Sequence, residues 1–209
     1  KEYEAKYCVG CELYKTDSEL EEGKCSIHPN RDIEIIKEEN YFFAFSKLEQ
    51  KLKDLYSSNP ELVIPDFRFN EIKSFLDRGL EDFSISRLKS KMPWGVPVPG
   101  DDDHVMYVWF DALTSYISTL GLPESGDFEK YWVQDGEREV VQYCGKDNLR
   151  QQSAIWQAML LAADIPNTTN IIINGFIISG GQKMSKSIGN VINPFDVIEY
   201  FKDLTDYPE

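Results

Sequence analysis

From about residue 85 onward, short apolar runs alternate with longer stretches whose apolar residues recur at helical spacing. No other feature constrains the fold as strongly. Residues 105–110 form a near-continuous apolar run, which predicts a strand buried on both faces. The stretch DALTSYISTLGLP behind it predicts a helix closed by Gly121 and Pro123. Residues 139–143 predict a second strand, and residues 170–178 a third. Between these two, residues 148–163 predict a long helix with Leu149, Trp156 and Leu160 on one face and Ile155, Met159 and Ala162 beside them. Strands and helices in this rhythm make βαβ units around a parallel sheet. The expected class is α/β.

The upstream part has a different texture. Residues 1–32 are polar and rich in turn formers, with too little apolar content to fold without a staple. Residues 33–37 predict a strand. SKLEQKLKDLY predicts a helix opened by a capping box, Ser46-x-x-Glu49, with Leu48, Leu52, Leu55 and Tyr56 along one face and Asn59-Pro60 as its stop. Residues 70–78 predict another helix, with Ile72, Phe75 and Leu76 inward and Gly79 at its end. Near the other end of the chain, Asn193-Pro194 opens a helix through Phe195, Ile198 and Phe201.

At 209 residues the chain has room for one large or two small domains, and its longest apolar runs are far short of a membrane span. A net charge of −14 argues against a free-standing nucleic-acid binder, though a local basic patch remains compatible with it. The four cysteines are Cys8, Cys11, Cys25 and Cys144, three of them near one end. This is no disulfide framework, and it implies a reducing, cytoplasmic setting. Instead, Cys8-x2-Cys11-x13-Cys25-x2-His28 sets two close pairs of soft ligands around a loop, as a tetrahedral zinc ion requires. Three thiolates and one imidazole fill all four positions, so the expected zinc is structural. Three unrelated thiols and a surface histidine are the alternative reading, and only one other histidine exists to compete for the fourth position.

GGQKMSKSIGN, residues 180–190, exposes two lysines and two serines just past the third strand, at the carboxyl end of the sheet. Open α/β folds bind ligands there. Ammonium groups are compact charges suited to phosphate oxygens, and paired glycines let backbone approach closely. Taken alone, such a loop can equally be a solvated turn.

KMSKS in this setting resembles the lysine loop of class I aminoacyl-tRNA synthetases. Three further stretches, MPWGVPVPGDDDHVMYVWFDAL, GKDNLRQQSAIWQAML and KMSKSIGNVINPFDVIEYF, follow the cysteine–histidine cluster in order. Together they resemble the methionyl-tRNA synthetase family over nearly the whole chain. The resemblance implies that residues 1–86 are a connective-peptide insertion with a zinc knuckle at about 6–32. Residues 87–209 would then be the second half of a Rossmann-type catalytic domain. It also implies a fragment that is inactive by itself, without the His-x-Gly-His half of the nucleotide site and the helical anticodon-binding domain. The final KDLTDYPE departs from the family's continuation.

The reaction so implied activates methionine with Mg-ATP to methionyl-adenylate and then charges tRNA(Met). Lys186 matches the lysine that stabilises the departing pyrophosphate, with Lys183 as helper and Ser185 and Ser187 as donors to phosphate oxygens. The methionine pocket maps onto Trp109, Ala112, Leu113 and Tyr116, with Asp147 and Gln152. Trp109 can also be read as core, and Asp111 either bonds an ammonium group or caps a helix. Arg87 is a weaker candidate for contacting the reacting groups. Gln152 stands where many relatives carry histidine, and it cannot become cationic. Cys144 reads as a packed small hydrophobe. Two rival readings remain, a class I synthetase for another amino acid and a non-catalytic zinc-binding module.

Overall fold

The computed structural model describes residues 2–10, 13–15, 20–25, 28–124, 126–133, 139–186 and 189–202. An arm comes first. Strand β1 (Glu2–Cys8) pairs antiparallel with β2 (Leu13–Lys15) on one side and with β5 (Glu34–Glu39) on the other. Between them lies the small hairpin of β3 (Leu20–Glu21) and β4 (Lys24–Cys25). Cys8 and Cys25 are the buried hydrophobic residues of this arm among the described residues. Two thiols are a poor core, in keeping with the need for a staple.

Strand β6 (Phe42–Phe43), helix α1 (Glu49–Ser58), strand β7 (Val63–Ile64), helix α2 (Asp66–Asp77) and strand β8 (Phe83–Ser84) follow. Leu52 and Tyr56 of α1 are fully buried, with Leu48 and Leu55 packed partly against them. The anticipated capping box is not made. Ser46 lies inside a 3-10 turn, Phe45–Leu48, and both its N–H (3.0 Å) and its hydroxyl (2.7 Å) donate to Asp82. Glu49 instead accepts from Lys53 at 2.7 Å and from the Leu80 N–H at 3.0 Å, tying α1 to the chain beyond α2. Helix α2 starts four residues before the sequence reading placed it. Pro65 caps it in extended conformation, and Asp66 puts negative charge at the positive end of the dipole.

Strands β9 (Ser86–Leu88), β10 (Pro97–Val98) and β11 (Asp101–Met106) form an antiparallel sheet in the order β10-β11-β9. The run at residues 105–110 is therefore not one buried strand. β11 ends at Met106, and the chain turns directly into helix α3 (Val108–Leu113), followed by the short α4 (Ser115–Ser118). Phe110, Leu113 and Ile117 recur at helical spacing and face the core, whereas Val108 and Trp109 point outward. A continuous apolar run does not by itself distinguish a strand from a helix.

After α5 (Phe128–Tyr131), the parallel sheet assembles from β12 (Val141–Gly145) and β13 (Asn170–Asn174), with the two-residue β7 on the far side of β13. Between β12 and β13 the chain makes a 3-10 turn, Lys146–Asn148, a wide π turn, Gln151–Ile155, and helix α6 (Trp156–Ala162). The long helix anticipated at 148–163 is thus broken near its start. Ala154 and Ala158 are small enough to let it press on the sheet core of Leu52, Ile72, Leu149 and Ile171. Trp156, Met159 and Leu160 build a second core with Leu113, Ile117 and Trp132. The third strand ends at Asn174, four residues short of its anticipated end. A hairpin of β14 (Ile178–Ser179) and β15 (Gln182–Lys183) follows, and α7 (Pro194–Phe201) is capped by the Asn193 side chain.

The arm is fastened to β11 by a polar cluster. His104 contacts the Glu39 carbonyl through Nε2 at 2.8 Å and Asp101 through Nδ1 at 2.9 Å. The Tyr41 hydroxyl donates to the same Asp101 carboxylate at 2.9 Å, and its ring stands edge-on to the imidazole.

Candidate functional site

Two constellations carry chemistry, and the first is the metal cluster. β1 delivers Cys8, β4 delivers Cys25, and the turn after β4 brings back His28, whose N–H donates to the Cys25 carbonyl at 3.1 Å. The ligand atoms of the three residues lie within 4.8 Å of one another, with Cys8 Sγ 3.8 Å from His28 Nδ1. Ligands on a tetrahedral zinc stand about 3.5–3.8 Å apart, so the donor types suit that ion and the Cys8–His28 separation matches it. Gly10 belongs to the construction, because a Cβ there would strike the His28 ring at 2.6 Å. Sequence reasoning gave Gly10 no role. Cys11, the fourth anticipated ligand, lies outside the described residues.

The second constellation gathers at the carboxyl ends of β12 and β13. Gly180 and Gly181 adopt φ values of +60° and +79°, which closes the β14–β15 hairpin and carries Lys183 back toward the sheet. Its Nζ rests 3.6 Å from the Phe176 ring centroid and 4.0 Å from the Asp147 carboxylate. Lys146 approaches the same ring, with Nζ 4.4 Å from the centroid. Asp147 folds back over Gly145, where a Cβ would meet Oδ1 at 2.6 Å. Beyond Lys183 the loop is pinned by Asn190. Its Oδ1 accepts from the Ser185 N–H at 2.9 Å, and its Nδ2 donates to the carbonyls of Ser179 and Lys183, each at 3.2 Å. Lys186 is exposed and has no ion pair among the described residues, while Ser187 lies outside them.

Sequence reasoning passed over Asn190, Phe176 and Lys146. Asn190 stood inside a quoted motif, and an amide beside a glycine in a lysine loop is a signal for a loop staple. Cys144, just ahead of this turn, is half-buried against the sheet core. Burial, helped by Asp147, pushes its thiol up to about 11, so it stays protonated.

The anticipated methionine residues divide. Trp109, 46% exposed, and Ala112 lie on the outer face of α3, whereas Leu113 points into the second core. Tyr116, 38% exposed, packs its ring 5.8 Å from Trp156, and its hydroxyl accepts from Gln152 Nε2 at 2.6 Å. The other end of that amide, Gln152 Oε1, is buried without a hydrogen-bond partner among the described residues. A buried orphan acceptor is costly, and here it sits beside Tyr116. Asp147 and Gln152 lie in one short segment, the turn after β12 and the π turn that follows it. For Arg87, Nη1 donates to the Ser84 hydroxyl (3.0 Å) and the Ser86 carbonyl (2.6 Å), and the guanidinium covers the Tyr107 ring at 4.2 Å. Asp111 sits in the first turn of α3.

Comparison with known proteins places this geometry in context. A profile of the family described as "tRNA synthetases class I (M)" matches residues 1–207. The methionine–tRNA ligase of Thermosynechococcus vestitus is 43% identical over 96% of the chain, and that of Streptomyces coelicolor is 44% identical over 95%. A solved structure of Mycobacterium tuberculosis methionyl-tRNA synthetase in complex with methionyl-adenylate superposes with a TM-score of 0.80 at 36% identity over 96% of the chain. The chain spans 38%, 37% and 39% of these three proteins, well under half of each.

Proposed function

Since the chain belongs to the family of class I tRNA synthetases of the methionine type, we propose that it forms part of an enzyme that activates methionine with ATP and charges tRNA(Met). One observation carries this reading. At the carboxyl ends of two parallel strands, the KMSKS hairpin meets the Gly145-Lys146-Asp147 turn, with Lys183 4.0 Å from Asp147. Open α/β sheets bind nucleotides in that position.

In the proposed reaction the methionine carboxylate attacks the α-phosphate of ATP, which arrives with its magnesium ion as substrate. Pyrophosphate leaves, and negative charge accumulates on its oxygens. Lys186 meets that charge as it develops, which lowers the barrier more than it strengthens ground-state binding. Lys183 holds the loop near the sheet, while Ser185 and Ser187 donate to phosphate oxygens or steady the loop. Trp109, Ala112, Tyr116 and Gln152 surround the methionine side chain, with Leu113 closing the pocket from the core. Aromatic rings suit a polarizable thioether. Asp147 receives the substrate's ammonium group at the edge of the pocket.

Cys8, Cys11, Cys25 and His28 hold a structural zinc ion that supplies rigidity to the arm and no chemistry. Residues 1–86 form the inserted connective segment, with its knuckle at about 6–32, and residues 87–209 form the second half of a Rossmann-type domain. The two segments share one core, which joins Leu52 and Ile72 to Leu149 and Ile171, and β7 of the first pairs with β13 of the second. Thiols kept free for metal suit a reducing cytoplasm. The test is methionine-dependent exchange of labelled pyrophosphate into ATP by the full-length gene product. Exchange supported better by another amino acid would refute the reading.

A further inference from the structure

Two ammonium groups share one aromatic ring at the end of the parallel sheet. Lys183 Nζ lies 3.6 Å and Lys146 Nζ 4.4 Å from the centroid of Phe176, which is half-buried two residues beyond β13. Like charges gathered so closely repel, and the ring quadrupole compensates only in part. Asp147 is the carboxylate at hand, and it turns toward Lys183. Lys146 has no carboxylate partner among the described residues, although Asp147 is its neighbour in sequence. In a chain of net charge −14, this is a local excess of positive charge where the fold presents a ligand site.

We propose that Lys146 is a second phosphate-binding cation, paired with Lys183 across Phe176 to clamp the polyphosphate chain of a nucleotide. This deepens the reading above and rests on its placing a nucleotide at this end of the sheet. An ammonium group seated on a ring face keeps donors free on its outer side, and lysine suits phosphate as a compact point charge. Since both charges stand on one ring, their centroid distances keep them no more than about 8 Å apart, close enough for one polyphosphate chain to reach both. Lys146 comes from the turn after β12 and Lys183 from the hairpin after β13, so the clamp also joins that hairpin to the neighbouring strand's turn.

Inorganic tripolyphosphate titrated calorimetrically against the full-length protein at low salt tests the clamp, with thermal melts to verify folding. Lys146→Ala and Lys183→Ala are each expected to weaken binding by about fivefold, as for one exposed charge contact. Phe176→Leu should weaken it with both lysines intact, and Lys89→Ala, an exposed lysine away from the cluster, should leave it unchanged. Wild-type affinity in Lys146→Ala, an equal loss in Lys89→Ala, or no binding by the wild type would each overturn the proposal. Pyrophosphate exchange is measured on the same preparations. Lys146-dependent tripolyphosphate binding without methionine-dependent exchange would sink the synthetase reading and leave the clamp standing.

Discussion

Lys183 rests against Phe176 and Asp147, whereas Lys186 is exposed without an ion pair among the described residues. The two ammonium groups thus begin the proposed reaction from different states. Lys186→Ala should lower kcat and kcat/KM together, by about a hundred- to a thousand-fold, and leave methionine affinity unchanged. Lys183→Ala should cost less and act more on ATP binding, and stopped-flow adenylate formation separates the two. An effect of Lys186→Ala confined to the KM for ATP would make the loop a binding clamp only. His104 supports a pH prediction. Acceptors face both of its nitrogens, and its pKa is raised, chiefly by the Glu39 carbonyl and further by the hydrogen bond and charge of Asp101 and the charge of Asp103. Tyr41 completes the surroundings by bonding Asp101. A raised folded value means that the stabilisation is complete below about pH 6.5 and fades as pH climbs through the folded value. His104→Ala should therefore lower Tm by about 2–4 °C at pH 6 and by less at pH 9. Equal losses at both would remove the charge from the explanation.

Among the elements, the arm is the one to which the proposed zinc ion matters most. Structural zinc sites in small peptides contribute on the order of 10 kcal/mol or more, ample for a sheet whose buried apolar residues, among those described, are two thiols. Cys8→Ser should abolish bound zinc by metal analysis and open β1, β2 and β5 to hydrogen exchange, leaving β12, β13 and α6 protected. Full protection of the arm without metal would contradict this. Local signals announced much of the architecture: the spacing of Cys8, Cys25 and His28, the Asn193 cap, and the buried faces of α1 and α2. The failures arose where a distant partner decided. Asp82 claims Ser46 and dissolves a capping box that is correct by spacing. Residues 105–110 look uniform in hydropathy, yet solvent takes Val108 and Trp109 once the chain turns at Tyr107. β7 is only two residues long, too short to show a period. The site was legible as motifs, but the sharing of Phe176 by Lys146 and Lys183 exists only after β12 and β13 pair.

At the scale of the whole molecule, the relatives are far longer than this chain, and a doubly wound sheet binds nucleotide between its two halves. The 209-residue chain by itself should give no measurable pyrophosphate exchange under conditions in which the full-length protein does; robust exchange by the chain alone would mean that one half suffices. The strand order β12-β13-β7 has a further consequence. β13 lies in the middle of its sheet yet comes last of the three in sequence. During synthesis, α1, α2 and β7 leave the ribosome before the strand that completes their core, with only the packing of α1 on α2, Tyr56 against Phe69, to cover them. They wait through the making of the arm-fastening strands, β12 and α6 before Ile171 and Ile173 arrive to close the core. Contacts so distant along the chain close slowly, and exposed intermediates of this kind invite aggregation. A nascent chain stalled before residue 170 lacks the one strand with which both β12 and β7 pair.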